Sequence, residues 1–162
     1  GREMTSSTGT VRAVMHKEMS DAFPWVNPWD ISTLSTWRNR RVYAAMLTGT
    51  AAAIGTDDYT FTLFVADRAL VVDACFVVDP IGLSVDATND NNFTLKNSST
   101  IMCQQSTAYG VVANEPWEIT RANTVANRTL AAGDTVTLVV DGDNSGRVIN
   151  HGTLVFVVCS YA

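Results

Sequence analysis

The stretch Thr135-Val-Thr-Leu-Val-Val140 decides the fold, because apolar side chains recur at every second position, with threonines at two of the three positions between them. A period of two is that of a β-strand with one buried face, here the face of Val136, Leu138 and Val140. Similar runs, separated by turns rich in Asn, Asp and Gly, continue from residue 42 to the end of the chain. They predict eight strands, at residues 42–48, 60–66, 70–79, 92–97, 100–105, 116–120, 135–141 and 153–161. Eight strands with several longer connections are typical of a jelly-roll-like antiparallel β-sandwich, so we predict an all-β fold.

Some of these strands differ in how many of their faces are apolar. In residues 60–66 the alternation places three side chains on the predicted core face, namely Phe61, Leu63 and Val65. In residues 70–78 and 153–159 both faces are largely apolar, as expected of strands that are covered on both sides. A two-layer sandwich leaves its outer faces in water, so either the N-terminal segment or a neighbouring subunit must supply the second cover. We therefore predict an oligomer interface at Val71, Cys75, Val77, Val155, Val157 and Cys159.

The first 41 residues differ in character from the β-domain that we predict for residues 42–162. Residues 11–23 have the apolar spacing of a short amphipathic helix, which Pro24 ends. Two Pro-Trp pairs follow, and then a cluster of arginines. We predict an arm that binds a partner through three tryptophans and three arginines, which are Trp25, Trp29, Trp37, Arg38, Arg40 and Arg41. The alternative is that the tryptophans fasten the arm to its own sandwich.

Composition limits the classes of partner. The chain has 162 residues, a net charge of −5, 46% hydrophobic residues and 17% charged residues. Residues 1–41 contain six cations and four anions, whereas residues 42–162 contain five cations and twelve anions. A basic arm on an acidic body favours an acidic protein partner and makes the body a poor binder of nucleic acid. No stretch approaches the roughly 18 apolar residues that a membrane-spanning helix needs, so we predict no membrane contact.

The three cysteines lie in separate strand-like runs and form no C-x-x-C pair. We predict three reduced thiols in the core and folding in the reducing cytoplasm of a host cell, since no signal peptide opens the sequence.

Few residues suggest chemistry. The histidines are His16 in the arm and His151 in a late loop, and no nucleophile and base are spaced as a catalytic motif requires, so we predict a protein that is not an enzyme and has no cofactor. One loop, at residues 141–146, resembles a calcium loop, with Asp141, Asp143 and Ser145 at ligand positions and a glycine at the sixth. Gly152 replaces the glutamate expected at the twelfth position, and a β-hairpin loop uses the same residues. We therefore favour a plain loop and predict no metal.

The order of these strand and turn segments resembles that of a β-sandwich found in tailed-bacteriophage virion proteins, especially head decoration and head-fibre proteins. The resemblance covers residues 60–158 and lies in Phe61-Thr-Leu-Phe-Val-Ala-Asp-Arg-Ala-Leu-Val-Val-Asp-Ala74, Asp79-Pro80, Asp86-Ala-Thr-Asn89, Phe93-Thr-Leu-Lys-Asn97, Leu130-Ala-Ala-Gly-Asp-Thr-Val-Thr-Leu138 and Gly152-Thr-Leu-Val-Phe-Val-Val158.

The resemblance implies a jelly-roll-like module, commonly a homotrimer, which sits on the outside of a capsid and braces neighbouring subunits. Its partners would be the major capsid protein or another virion protein, and its location the virion. The alternative is a fibre module of a virion that binds a receptor or a carbohydrate. Only Trp117 of the four tryptophans lies in the β-domain, which weakens the carbohydrate interpretation.

Overall fold

The computed structural model describes residues 40–162, which form nine β-strands and two short 3-10 helices. The strands are β1 Arg40–Met46, β2 Asp58–Val65, β3 Leu70–Val78, β4 Asn91–Asn97, β5 Thr100–Ser106, β6 Pro116–Ile119, β7 Thr129–Leu130, β8 Thr135–Gly142 and β9 Leu154–Tyr161. The 3-10 helices are Thr107–Tyr109 and Val125–Arg128. All eight predicted strands are present with each end within two residues of its predicted position, and β7 is an addition. The predicted arm helix, Trp25, Trp29, Trp37 and Arg38 lie outside the described residues.

The strands form two antiparallel sheets. Sheet A has the order β1-β9-β3-β6, with β7 also paired to β3, and sheet B has the order β2-β8-β4-β5. Every connection passes from one sheet to the other, except those between β4 and β5 and between β6 and β7. This order is that of a jelly roll, which confirms the predicted all-β, jelly-roll-like sandwich. Within the described range no helix is long and apolar enough to cross a membrane.

The core lies between the two sheets. Val136, Leu138 and Val140 of β8 are fully buried, as their alternation predicts. From the other sheet they are met by the buried side chains of β3 and β9, which are Leu70, Val72, Cys75, Val77, Val155, Val157 and Cys159. Burial of this apolar surface is the main driving force for the fold.

Two irregularities change which side chains reach the core. The pairing of β2 with β8 shifts between Thr62 and Phe64, so that Phe64 packs against the core beside Phe61 and Leu63. Val65, predicted to face inward, is instead 55% exposed. A bulge inserts one residue into a strand and thereby reverses the faces of the residues that follow it.

The second irregularity lies in β3, where the pairing with β9 shifts between Val72 and Ala74. Leu70 and Val72 face the core before Asp73, and Cys75 and Val77 face it afterwards. Asp73 is therefore the extra residue of a β-bulge.

Two arginines complete the hydrogen bonding of β3 in the gap between its neighbours β7 and β6. Arg128, only 7% exposed, donates from Nη1 to the carbonyl oxygen of Val72 at 2.6 Å and from Nε to that of Ala122 at 2.8 Å. Arg121 donates to the carbonyl oxygen of Asp73 at 2.9 Å. The guanidinium groups thus replace the N–H donors that a continuous strand would supply.

Candidate interaction surfaces

The outward side of sheet A is largely apolar, and we call it the apolar face. Cross-strand pairs of β3 and β9 form its centre, with Ala74 opposite Val158, Phe76 opposite Phe156 and Val78 opposite Leu154. Strand β1 extends it through Val42 and Met46, which are 61% and 63% exposed, and through Ala44 between them. Strand β6 adds Pro116 beside Val78. The apolar face consists of Val42, Ala44, Met46, Val71, Ala74, Phe76, Val78, Pro116, Leu154, Phe156 and Val158.

The outward side of sheet B is polar. One row across it contains Thr60, Val139, Thr94 and Gln104, and the next contains Thr62, Thr137 and Lys96. A third row contains Asp58, Asp141, Asn92 and Ser106. An antiparallel sheet with one face in water has this composition, so the two outer faces of the sandwich differ in kind.

The prediction that β3 and β9 are apolar on both faces agrees with this arrangement, but the residues chosen for the outward face were wrong. Five of the six face the core and are at most 1% exposed, namely Cys75, Val77, Val155, Val157 and Cys159. Val71 alone lies outside. The residues next to these in the sequence, such as Phe156, form the outward surface of the two strands. The bulge in β3 and the pairing of β9 with β3 determine which side chains point outward.

Two predicted partner-binding arginines lie in strand β1 rather than before it. Arg40 is exposed, whereas Arg41 Nη1 donates to both carboxylate oxygens of Asp67, at 2.9 and 2.8 Å. Arg41 Nε also donates to the hydroxyl of Tyr161 at 3.3 Å. Hydrogen bonding to Arg41 lowers the pKa of Asp67, and hydrogen bonding to Asp67 raises the pKa of Arg41. The charge of Arg41 is therefore paired within the domain.

Four large apolar side chains are exposed on the two segments that connect β3 to β4 and β5 to β6, and we call this set the loop-end patch. Its members are Ile81, Val85, Tyr109 and Val112, which are 69%, 71%, 84% and 63% exposed. The loop-end patch was not predicted from the sequence, although Ile81 and Val85 are apolar residues in a predicted loop.

The backbone beneath the loop-end patch is fixed. Leu83 and Val111 exchange two hydrogen bonds of 2.8 Å, which join the loops as a short antiparallel pair. Gly82 and Gly110 on either side have φ of 80° and 84°, a conformation that side chains of L-residues rarely adopt. Asp79, 5% exposed, accepts hydrogen bonds from the N–H groups of Ile81 and Gly82 at 2.8 Å. The patch is presented on a preformed turn.

The loop with calcium-like spacing is held by packing and by backbone hydrogen bonds. A Cβ added at Gly142 would overlap the carbonyl oxygen of Gly55, so close packing of two loops requires this glycine. Asp141 lies opposite Asp58 across strands β8 and β2. A hydrogen bond to Asp58, with burial and the charge of Asp58, raises the pKa of Asp141. Among residues 40–162 no group of three or more His, Cys, Asp or Glu side chains is placed to hold a metal ion.

The three cysteines are buried and free of disulfides. Burial raises the pKa of Cys103 to about 11 and that of Cys159 to about 12, and it raises the pKa of Cys75 further. A thiol is reactive as its thiolate, so these core thiols are inert while the domain is folded.

No family model matches the chain, and no curated protein matches it. Among solved structures, the chain is similar to a chain in the structure of infectious bursal disease virus Gx strain, with a TM-score of 0.37 and 14% sequence identity. The match covers 75% of this chain and 32% of that chain, so it spans about a third of the viral chain's length.

Proposed function

We propose that this chain is a non-enzymatic structural protein of a virion, which binds other virion proteins and braces a phage capsid from outside. The observation that carries the proposal is the loop-end patch, where four large apolar side chains are 63% to 84% exposed on a fixed backbone. Large apolar surfaces left in water by a folded domain commonly mark sites of protein contact.

The chemistry of the patch suits binding more than catalysis. Its side chains Ile81, Val85 and Val112 offer only apolar surface, and Tyr109 adds an aromatic ring, a residue type enriched at the centres of interfaces. Because the underlying turn is already ordered, binding costs little conformational entropy. A rigid patch of this kind fits a partner that is itself a fixed surface, such as an assembled capsid subunit.

The virion setting rests on the resemblance of residues 60–158 to phage head decoration and head-fibre proteins. The partner is accordingly the major capsid protein or another virion protein. We assign the arm a second contact, in which Trp25, Trp29 and Trp37 are apolar anchors and Arg38 and Arg40 attract an acidic surface.

Co-sedimentation of the full chain with empty capsids of its own phage tests the proposal. The patch variant combines Val85→Ser with Tyr109→Ser, and the control is Val65→Ser, which truncates an exposed valine at the end of strand β2. We expect the patch variant to bind at least about tenfold more weakly and the control to bind as the parent chain does. Absence of capsid binding by the parent chain, or equal binding by both variants, would contradict the proposal.

A separate experiment decides the role of the arm. Trp25→Ala combined with Trp29→Ala should abolish capsid binding and leave the melting temperature unchanged if the rings contact a partner. A lower melting temperature with binding per folded molecule preserved would instead make the tryptophans internal fasteners of the sandwich.

Tyr109 favours a second candidate, the carbohydrate-binding fibre module, because its ring is 84% exposed. Trp117 does not favour it, since that ring is half-buried and packs edge-to-face on Phe93 with 5.4 Å between centroids. Binding of the parent chain to host surface glycans, lost in Tyr109→Ser, would support this candidate over the capsid contact.

A further inference from the structure

The apolar face of sheet A has the layout of a protein interface. Its centre is formed by Phe76 and Phe156, which lie opposite each other on neighbouring strands. One end is polar, where Ser160 donates a hydrogen bond to the carboxylate of Asp73 at 3.3 Å. An apolar centre beside a polar rim is the usual anatomy of a specific protein contact.

We infer that the apolar face packs against the apolar face of a second copy of this chain. The inference concerns a surface other than the loop-end patch, so it does not depend on the proposed function. Three properties of the face identify the occupant: its shape, the distribution of charge around it and its area.

The shape favours a second copy because β-sheets are twisted. Two sheets pack face to face, about 10 Å apart, when their twists match and their strands run within about 30° of each other. A second copy supplies a sheet of the same twist and the same rows of side chains, with the phenylalanines of one copy set over those of the other.

The charge distribution favours the same arrangement. Most carboxylates of the acidic body lie in the loops and on sheet B, among them Asp57, Asp58, Asp86, Asp141 and Asp143. On the outward side of sheet A in the described domain, the exposed Glu118 of edge strand β6 lies opposite Phe76, and Asp73 lies at the bulge, so these acids border the apolar face at its edges. Two like-charged copies that meet through this face keep their acidic surfaces on opposite sides of the dimer.

The area of the face is sufficient for a weak dimer. Its four strands, β1, β9, β3 and β6, have 7, 8, 9 and 4 residues. With a rise of about 3.3 Å per residue and about 4.8 Å between strands, they give a face of about 440 Å². Two such faces together remove about 900 Å² from water, which is the size of a weak, reversible interface rather than of a permanent one. A face-to-face contact of identical surfaces is isologous and closes at two copies, so we expect a dimer rather than the trimer that the resemblance implies.

Sedimentation velocity of the full chain between 1 and about 100 μM tests the inference. The interface variant is Val158→Asp, on the outward side of central strand β9. The matched control is Val139→Asp, which places the same change on the outward side of central strand β8, in the polar face of sheet B. Both valines are half-buried. We expect the parent and Val139→Asp to dimerise and Val158→Asp to remain monomeric with a β-rich circular dichroism spectrum.

A milder substitution keeps the test valid if an aspartate prevents folding. Val158→Thr retains the β-branched shape, and because each dimer contains the residue twice, we expect about a hundredfold weaker association. A parent chain that is monomeric at all concentrations would overturn the inference, even if it bound capsids through this face, since the occupant would then be a capsid protein. A trimeric mass, or a dimer unaffected by both Val158 substitutions, would overturn the face-to-face geometry.

Discussion

Substitution of Arg128 by methionine should strongly destabilise the domain. Arg128 is 7% exposed, and its guanidinium donates to the carbonyl oxygens of Val72 and Ala122. Each hydrogen bond from a charged donor contributes about 1.5–3 kcal/mol net, and its loss leaves a carbonyl buried without a partner. Since water can enter part of the gap, we expect the free energy of unfolding to fall by about 3–5 kcal/mol.

Urea denaturation followed by circular dichroism measures this change. Arg121→Met is the control, because Arg121 is exposed and donates a single hydrogen bond, to the carbonyl oxygen of Asp73. We expect the control to lose about 1 kcal/mol or less. Equal losses for the two variants, or a loss below about 1 kcal/mol for Arg128→Met, would refute the view that a buried guanidinium completes strand β3.

Three further results are expected. Asp58→Asn should raise the free energy of unfolding by about 0.5 kcal/mol at pH 7, because two carboxylates directly opposite each other repel, whereas Asp57→Asn should not. The pKa of Asp141 is raised in the folded state, so the repulsion destabilises the fold as pH rises through that pKa. At about pH 3 the gain in the free energy of unfolding from Asp58→Asn should therefore vanish, and urea denaturation at that pH measures it. Gly142→Ala should cost about 1–3 kcal/mol or more in thermal unfolding, because its Cβ overlaps the backbone of Gly55. Iodoacetamide should leave the three buried thiols unmodified in the native protein and alkylate all three in denaturant without reductant.

Each of these results has an opposite that would count against its premise. A gain for Asp58→Asn that persists at about pH 3 would show that charge is not its cause. A Gly142→Ala variant as stable as the parent would show that the backbone of Gly55 does not pack closely against Gly142. Recovery of a single free thiol after denaturation would indicate a disulfide and an oxidising compartment.

The strands of this protein are determined by local sequence. Alternation in residues such as Val136, Leu138 and Val140 sets both the position of strand β8 and its buried face, because a strand with one polar side can bury only the other. Turn-forming residues mark where strands end. For these reasons each of the eight predicted strands coincides with an observed one, and the number of strands and the lengths of the connections were enough to predict the jelly roll.

Only the tertiary structure shows which side chains of strands β3 and β9 point into the core. Both faces of β9 are apolar, so composition does not decide whether Phe156 or Val157 lies in the core. The pairing of β9 with β3 decides between them. In β3 the bulge at Asp73 changes which alternate residues face the core, and no local sequence pattern predicts this change. The residues predicted to form the oligomer interface were therefore mostly core residues, and the apolar face consists of their neighbours in sequence.

The loops show the same division. Gly142 lies in the loop with calcium-like spacing, but its packing partner is Gly55, 87 residues earlier in the sequence. The loop-end patch depends likewise on the pairing of Leu83 with Val111. By itself the sequence determined where strands and turns occur, because those depend on neighbouring residues. Which side chains meet in the core and which remain at the surface was decided only by the tertiary structure, because strand register and loop contact join residues far apart in the chain.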